Sequence, residues 1–241
     1  MNSKAFIFAA GEGRRMLPLT EHCPKPLLKV RGKCLIEHHI EKLVAAGFCE
    51  IVINVSYLAE QVIEHLGNGE RYGADIQFSL EERPLETGGG LLKALPLLGE
   101  EPFVLVNGDV WTDFPFSALS ERKDIFTGVS AGDTRLFLVE NPDHNPSGDF
   151  AFKRKGDALS DELVLRDSVV AHGKSYTFSG ISILNPALIA QYPSKREKFP
   201  LLEVFQYAIE QQQLKGEIYS GRWVDVGTPQ RLDLVNLDLP D

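Results

Sequence analysis

The string Ala9-Ala10-Gly11-Glu12-Gly13-Arg14-Arg15-Met16-Leu17-Pro18-Leu19-Thr20, with Pro24-Lys25-Pro26 just beyond it, has the residue types of a polyanion cradle. Two glycines allow positive φ and bring bare backbone N–H groups close to a phosphate. Arg14, Arg15 and Lys25 then neutralise the charge that backbone dipoles leave exposed. Gly11-Glu12-Gly13 alone reads better as an ordinary tight turn with solvated arginines; the whole string favours the phosphate site. Met16 stands where a dinucleotide fingerprint needs its third glycine, and Pro18 blocks the helix that should follow. A G-x-x-x-x-G-K-[ST] loop is absent as well.

A second set of groups could hold a metal. Asp109 follows the apolar run Phe103-Val104-Leu105-Val106 in Asn107-Gly108-Asp109, and Asp225 ends another short apolar segment in Trp223-Val224-Asp225-Val226-Gly227-Thr228. Ligands of open α/β sheets lie beyond the carboxyl ends of the strands, where two hard carboxylates could complete an octahedral Mg²⁺ shell with phosphate oxygens and water. Taken singly, each acid is also a reasonable turn former or helix cap. The six histidines, His38 and His39 included, show no spacing for a ligand set or a nucleophile system.

These groups need a scaffold that aims them at one place. Ala5 to Ala10 reads as a strand entering the glycine loop. Helical spacing over 35–46, ending at Gly47, precedes a buried strand over 50–55. Helix 59–66, strand 75–80, a helix from about Gly90 to Leu98 and strand 103–107 continue the alternation, which predicts α/β crossover units and a doubly wound, Rossmann-like, mostly parallel sheet. From about Arg135 the pattern changes. Segments 135–139, 149–153 and 176–184 are strand-like but joined by polar loops, which predicts a small antiparallel lobe. Helices return at 186–189 with Asn185 as cap, at 201–211, and at 229–237 with Thr228 as cap. The expected organisation is a single domain over 1–241, with a nucleotide-binding core over about 1–134 and a sugar-binding portion over about 135–241. No hexapeptide repeat suggests an appended β-helix, so a monomer or small homo-oligomer is expected.

Composition narrows the function classes. A net charge of −9 argues against a nucleic-acid binder, which needs excess Lys and Arg. Cys23, Cys34 and Cys49 are odd in number without metal-type spacing, so free thiols in a reducing compartment are expected, and no zinc site. The N-terminal apolar stretch is too short for a signal peptide and no run is long enough to span a bilayer; a cytoplasmic protein that makes no membrane contact is expected.

Together the glycine loop, Pro24-Lys25-Pro26, Leu85-Glu86-Thr87-Gly88-Gly89-Gly90, Asn107-Gly108-Asp109-Val110-Trp111 and Trp223-Val224-Asp225-Val226-Gly227-Thr228 resemble the sugar-1-phosphate nucleotidyltransferase family, from Phe6 to about Leu234. Gly148-Asp149-Phe150 and Thr177-Phe178-Ser179-Gly180-Ile181-Ser182 carry a closer similarity to its compact bacterial N-acetylmuramate-1-phosphate uridylyltransferase branch. The resemblance implies transfer of a uridylyl group from UTP to N-acetylmuramate 1-phosphate, in peptidoglycan recycling. Other pairings within the family, mannose 1-phosphate with GTP or glucose 1-phosphate with UTP or dTTP, stand as alternatives, as does a non-catalytic sugar-nucleotide sensor. The glucose branch's Val-Glu-Lys-Pro string has no counterpart here beyond Asp161-Glu162-Leu163.

Position by position, the resemblance implies that Gly11, Glu12 and Gly13 wrap the triphosphate through their backbone, with Arg15 on the β,γ-phosphates and Lys25 on the α-phosphate. Thr87 and Gly88 would read the base edge, and Thr87 could instead cap the helix that follows. Asp109 and Asp225 would hold Mg²⁺, while Asn107, Asp149 and Gly180 would line the sugar site. No general base is required, because a phosphate monoester with its second pKa near ~6 is already an anion at neutral pH.

Overall fold

In the computed structural model, which describes residues 4–121, 133–155, 158–168 and 171–238, the strand order itself locates a crevice. Strands β1 (Ala5–Phe8), β4 (Glu50–Val55), β5 (Asp75–Leu80) and β6 (Phe103–Asn107) are parallel and lie in the order β5-β4-β1-β6. Two steps outward, through helices α1 (Leu35–Ala45) and α2 (Ala59–Leu66), build β4 and then β5. Helix α3 (Glu86–Leu98) then carries the chain back past β1 to place β6 on its far side. The winding therefore reverses between β1 and β6, and a ligand crevice opens at the carboxyl ends of these two strands. The glycine loop leaves β1 there, and Asn107-Gly108-Asp109 leaves β6.

Period-two burial explains why both faces are covered. Ala5, Ile7, Ile51, Ile53, Val104 and Val106 point to the face packed by α1, α2 and α4 (Phe116–Glu121), whereas Phe6, Val52, Phe103 and Leu105 point to α3, α5 (Pro186–Gln191) and α6 (Leu201–Glu210). Asn185 caps α5 as expected, its side chain accepting the Ala187 N–H at 2.9 Å.

The predicted antiparallel lobe continues the same sheet. Strand β11 (Ala171–Leu184) lies antiparallel to β6, followed by β8 (Thr134–Val139), β12 (Leu214–Ile218), β10 (Ala158–Leu165) and β9 (Phe150–Lys155). The first half of β11 pairs with β9 and the second half with β8, so these five strands close into a ring of pairings. A separate two-stranded sheet joins β7 (Val110–Thr112) to β13 (Trp223–Asp225), and a short hairpin joins β2 (Lys29–Val30) to β3 (Lys33–Cys34). Met16, Val30, Leu35, Trp111, Val226 and Val235 form a small core that seats the glycine loop, β7 and α7 (Pro229–Asp238) on one another.

Four elements depart from the sequence expectations. Strands β10 and β12 and helix α4 were not anticipated; β12 is short, and its Lys-Gly-Glu centre carries no apolar run. Helix α3 begins at Glu86, ahead of the start near Gly90 that the sequence suggests. Each of its glycines is needed for close packing: a Cβ on Gly88 would lie 2.5 Å from the Phe199 ring, on Gly89 2.2 Å from the Glu197 carbonyl, and on Gly90 2.4 Å from Glu81 Oε1.

Candidate active site

The crevice at the β1/β6 switch is a cleft of about 340 Å³, walled by the glycine loop, Lys25, the start of α3 and Asn107-Gly108-Asp109. Only one of the two loop glycines needs positive φ. Gly13 has φ +64, and a Cβ there would press on Thr20 Cγ2 at 2.9 Å and Lys25 Cβ at 3.3 Å. Gly11 is outside the left-handed region and has nothing within 4 Å of a Cβ, so its missing side chain simply leaves the cleft open. Thr20 Oγ1 donates to the Gly13 carbonyl at 2.8 Å, and buried Met16 pins the turn from below. Arg14 and Arg15 line the cleft from exposed positions, whereas the Glu12 carboxylate turns to pair with Arg14.

Lys25 is 8% exposed, and its Nζ lies 2.8 Å from Asp109 Oδ2. Asp225 arrives from the far end of the sequence: it pairs in register with Val110, and the Val226 N–H donates to the Asp109 carbonyl at 2.8 Å. The two acids thus sit on adjoining positions of one strand pair. Gly227 lines the cleft itself, and a Cβ there would meet Asp225 Oδ1 at 2.8 Å. Asp225 Oδ2 is 3.3 Å from both Arg231 Nη2 and His144 Nε2, while Oδ1 is buried with no hydrogen-bond partner among the described residues. Asp225 itself does not line the cleft; its buried carboxylate oxygen without a donor, one strand pairing away from Asp109, is of the type that suits a hard divalent cation.

The opposite wall is braced by a buried polar chain that the sequence did not disclose. Glu81, 2% exposed, accepts from Asn54 Nδ2 at 2.7 Å and from the Leu85 N–H at 2.9 Å, and Asn54 Oδ1 accepts the Ala9 N–H at 2.9 Å. These bonds tie the start of the glycine loop to the segment leading into α3. Thr87 faces the cleft but does not cap its own helix; its Oγ1 accepts the Leu201 N–H at 2.9 Å, capping α6 instead. Gly88 is buried and its N–H donates to the Phe199 carbonyl at 2.8 Å. That amide already has a protein partner, so the base-reading role assigned to it from the sequence is not supported by its position, which is a packing one.

A second cavity of about 720 Å³ adjoins the first, and Phe8, Thr87 and Asn107 line both. Asp149 reaches it with both oxygens engaged, accepting from Asn145 Nδ2 at 3.0 Å and from the Phe178 N–H at 2.8 Å. Arg166 is the one cationic side chain among the described residues lining this cavity, and its Nη1 donates to the Gly148 carbonyl at 2.8 Å. Gly180 lines neither cavity. With φ +79 and a would-be Cβ 2.7 Å from Asn107 Cβ, it backs Asn107, so the direct sugar contact expected of it gives way to support of a neighbour.

Away from the cleft, Cys34, Glu37 and His65 have ligand atoms within 4.8 Å of one another. Glu37 there accepts from Tyr72 at 2.7 Å and the Cys34 N–H at 2.9 Å, with Arg71 at 3.2 Å. Burial alone would raise its carboxyl, but the donors Tyr72, Cys34 and His65 outweigh it and hold Glu37 at about 2. Burial and the adjacent Glu37 push the Cys34 thiol up to about 11. A protonated thiol and a guanidinium beside the carboxylate make this a tie between α1 and its neighbours and a poor metal site.

Residues 4–241 match the family described as nucleotidyl transferase. The N-acetylmuramate alpha-1-phosphate uridylyltransferase of Neisseria meningitidis serogroup B is 44% identical over 95% of this chain and 95% of its own length. The mannose-1-phosphate guanyltransferase of Candida albicans is 36% identical over 94% of this chain and 62% of its own. Among solved structures, HddC of Yersinia pseudotuberculosis, complexed with GMP-PN, shares the fold with a TM-score of 0.71 at 21% identity, covering 97% of this chain and 98% of its own.

Proposed function

The chain belongs to the nucleotidyl transferase family, and from that premise we propose that it transfers the uridylyl group of UTP to N-acetylmuramate 1-phosphate, releasing pyrophosphate. A phosphate oxygen of the sugar attacks the α-phosphorus while the bond to the pyrophosphate oxygen breaks. The attacking oxygen is already an anion, so the protein's task is to suppress repulsion between two anions, align them, and stabilise charge as the leaving group departs. In our reading the backbone around Gly11, Glu12 and Gly13 wraps the triphosphate, Arg15 meets the β,γ-phosphates, and Lys25 meets the α-phosphate. Thr87 stands at the base edge. Asp109 and Asp225 would hold Mg²⁺, which would supply charge neutralisation at the phosphates. Asn107 and Asp149 face the sugar.

The convergence of Lys25, Asp109 and Asp225 supports this assignment more than any other observation. Lys25 and Asp109 are 2.8 Å apart and both line the cleft, and Asp225 stands opposite Val110, the residue after Asp109, in the β7–β13 pair. A non-catalytic sensor would have no need of all three. The choice of sugar rests on the full-length similarity to the Neisseria enzyme and on Arg166, a cation suited to the lactyl carboxylate that distinguishes N-acetylmuramate. We assign the portion before about 135 mainly to the nucleotide and the portion after it mainly to the sugar, with Asn107 and Asp225 each serving the other side, and place the protein in the cytoplasm as a monomer or small homo-oligomer. Among the described residues no helix is long and apolar enough to cross a membrane.

Pyrophosphate release tests the proposal, with UTP and N-acetylmuramate 1-phosphate run beside GTP with mannose 1-phosphate and UTP or dTTP with glucose 1-phosphate. The first pair should give the highest kcat/KM. A higher value for mannose 1-phosphate with GTP would establish the guanylyl reading, and release from no pair would leave a sensor.

A further inference from the structure

Asp225 is reached by a side chain from the other end of the site. His144 Nε2 lies 3.3 Å from Asp225 Oδ2, on the oxygen that Arg231 Nη2 also approaches at 3.3 Å. An imidazole nitrogen and a guanidinium crowd one carboxylate oxygen, and Oδ1 is left buried without a hydrogen-bond partner among the described residues. Such an arrangement fixes the rotation of a carboxylate so that its unused oxygen faces a bound cation, as outer partners of metal ligands commonly do.

The origin of His144 gives this contact its meaning. It belongs to the segment between β8 and β9, which also walls the sugar cavity through Gly148 and Asp149. That segment is stiffly held. Asn141 Nδ2 donates to the Ser175 carbonyl at 3.1 Å, Thr177 Oγ1 donates to Asn141 Oδ1 at 2.9 Å, and Asn145 Nδ2 donates to Asp149 Oδ1 at 3.0 Å. Gly148, at φ +64, would press a Cβ onto Asn141 Oδ1 at 2.6 Å. A rigid piece of the sugar-side lobe therefore touches the carboxylate on the nucleotide side.

We propose that His144 is a positioning residue for Asp225, setting the metal-facing oxygen from the loop that bounds the sugar cavity. The inference rests on the reading of Asp225 as a metal ligand. Its test therefore separates the two. Trp111 and Trp223, the only tryptophans of the chain, lie on β7 and β13 beside the two acids, so their quenching by Mn²⁺ reports cation binding without turnover. In UTP-loaded protein, D225A should abolish the saturable quenching. H144A should raise the Mn²⁺ midpoint about tenfold or more, the scale of lost outer partners of metal ligands. H144Q, which can still offer an N–H near the Nε2 position, should recover most of that loss, and both variants should melt like the parent because His144 is partly exposed. A midpoint for H144A within about twofold of the parent, or no recovery in H144Q, overturns the proposal. Unchanged quenching in D225A overturns the metal assignment and the proposal with it.

Discussion

Replacing Lys25 by methionine separates catalysis from folding at this site. The side chain is 10% exposed, so methionine keeps its packing, while the ammonium 2.8 Å from Asp109 is lost. Asp109 is 38% exposed on its side chain and stays hydrated once unpaired, so the stability cost should be no more than the ~1 kcal/mol of a partly exposed ion pair. For a chain of this length that is a fall in Tm of about 2–4 °C. The catalytic cost is different in kind. A preorganised charge aimed at a developing anion is worth about 2.7–4 kcal/mol, so kcat should fall by roughly a hundredfold to a thousandfold. Pyrophosphate release at saturating substrates, paired with a thermal melt of the same preparation, measures both. Turnover within about threefold of the parent would refute the placement of Lys25 at the reacting phosphate. A collapse in Tm would instead make Lys25 a structural residue.

Three further outcomes follow from particular contacts. Arg166→Leu should raise KM for N-acetylmuramate 1-phosphate by about tenfold or more while leaving N-acetylglucosamine 1-phosphate, which lacks the lactyl carboxylate, nearly unaffected; equal losses on both sugars would remove Arg166 from carboxylate recognition. Gly180→Ala places a methyl 2.7 Å from Asn107 Cβ at φ +79, so it should lower Tm and weaken sugar binding more than UTP binding in separate titrations; an unchanged melt would contradict the packing account. Glu37, held at about 2 against an ordinary 4.5, contributes stability that is complete above about pH 4.5 and lost as pH falls toward 2, because the unfolded carboxyl binds its proton first. Urea midpoints of the parent should therefore drop across that window, and Glu37→Gln should flatten the drop.

How far the sequence could be read depended on how local each signal was. The strand entering the glycine loop was legible because Ala5 to Phe8 is an unbroken apolar run ending at a backbone that needs Gly13 for its positive φ. The crossover helices were legible because Ile36, Ile40 and Leu43 recur at helical spacing on one buried face. Glycines misled wherever their reason lay in a distant partner: Gly88 serves Phe199, and Gly180 serves Asn107. Polar groups paired across the fold were hidden for the same reason. Nothing near Glu81 announces Asn54, and nothing near His144 announces Asp225. Asp109 and Asp225 could be nominated because one follows a strand and the other ends a short apolar segment, yet their neighbouring positions are a property of the β7–β13 pairing.

The shared phosphate and metal site is tested most directly by a crystal structure of the protein with Mg²⁺ and a non-hydrolysable UTP analogue. One cation should be bound by both Asp109 and Asp225 together with the nucleotide's phosphates, with Lys25 Nζ within hydrogen-bond reach of the α-phosphate. A nucleotide seated elsewhere, or a cation that meets only one of the two acids while Lys25 stays on Asp109 away from the phosphates, would contradict this arrangement.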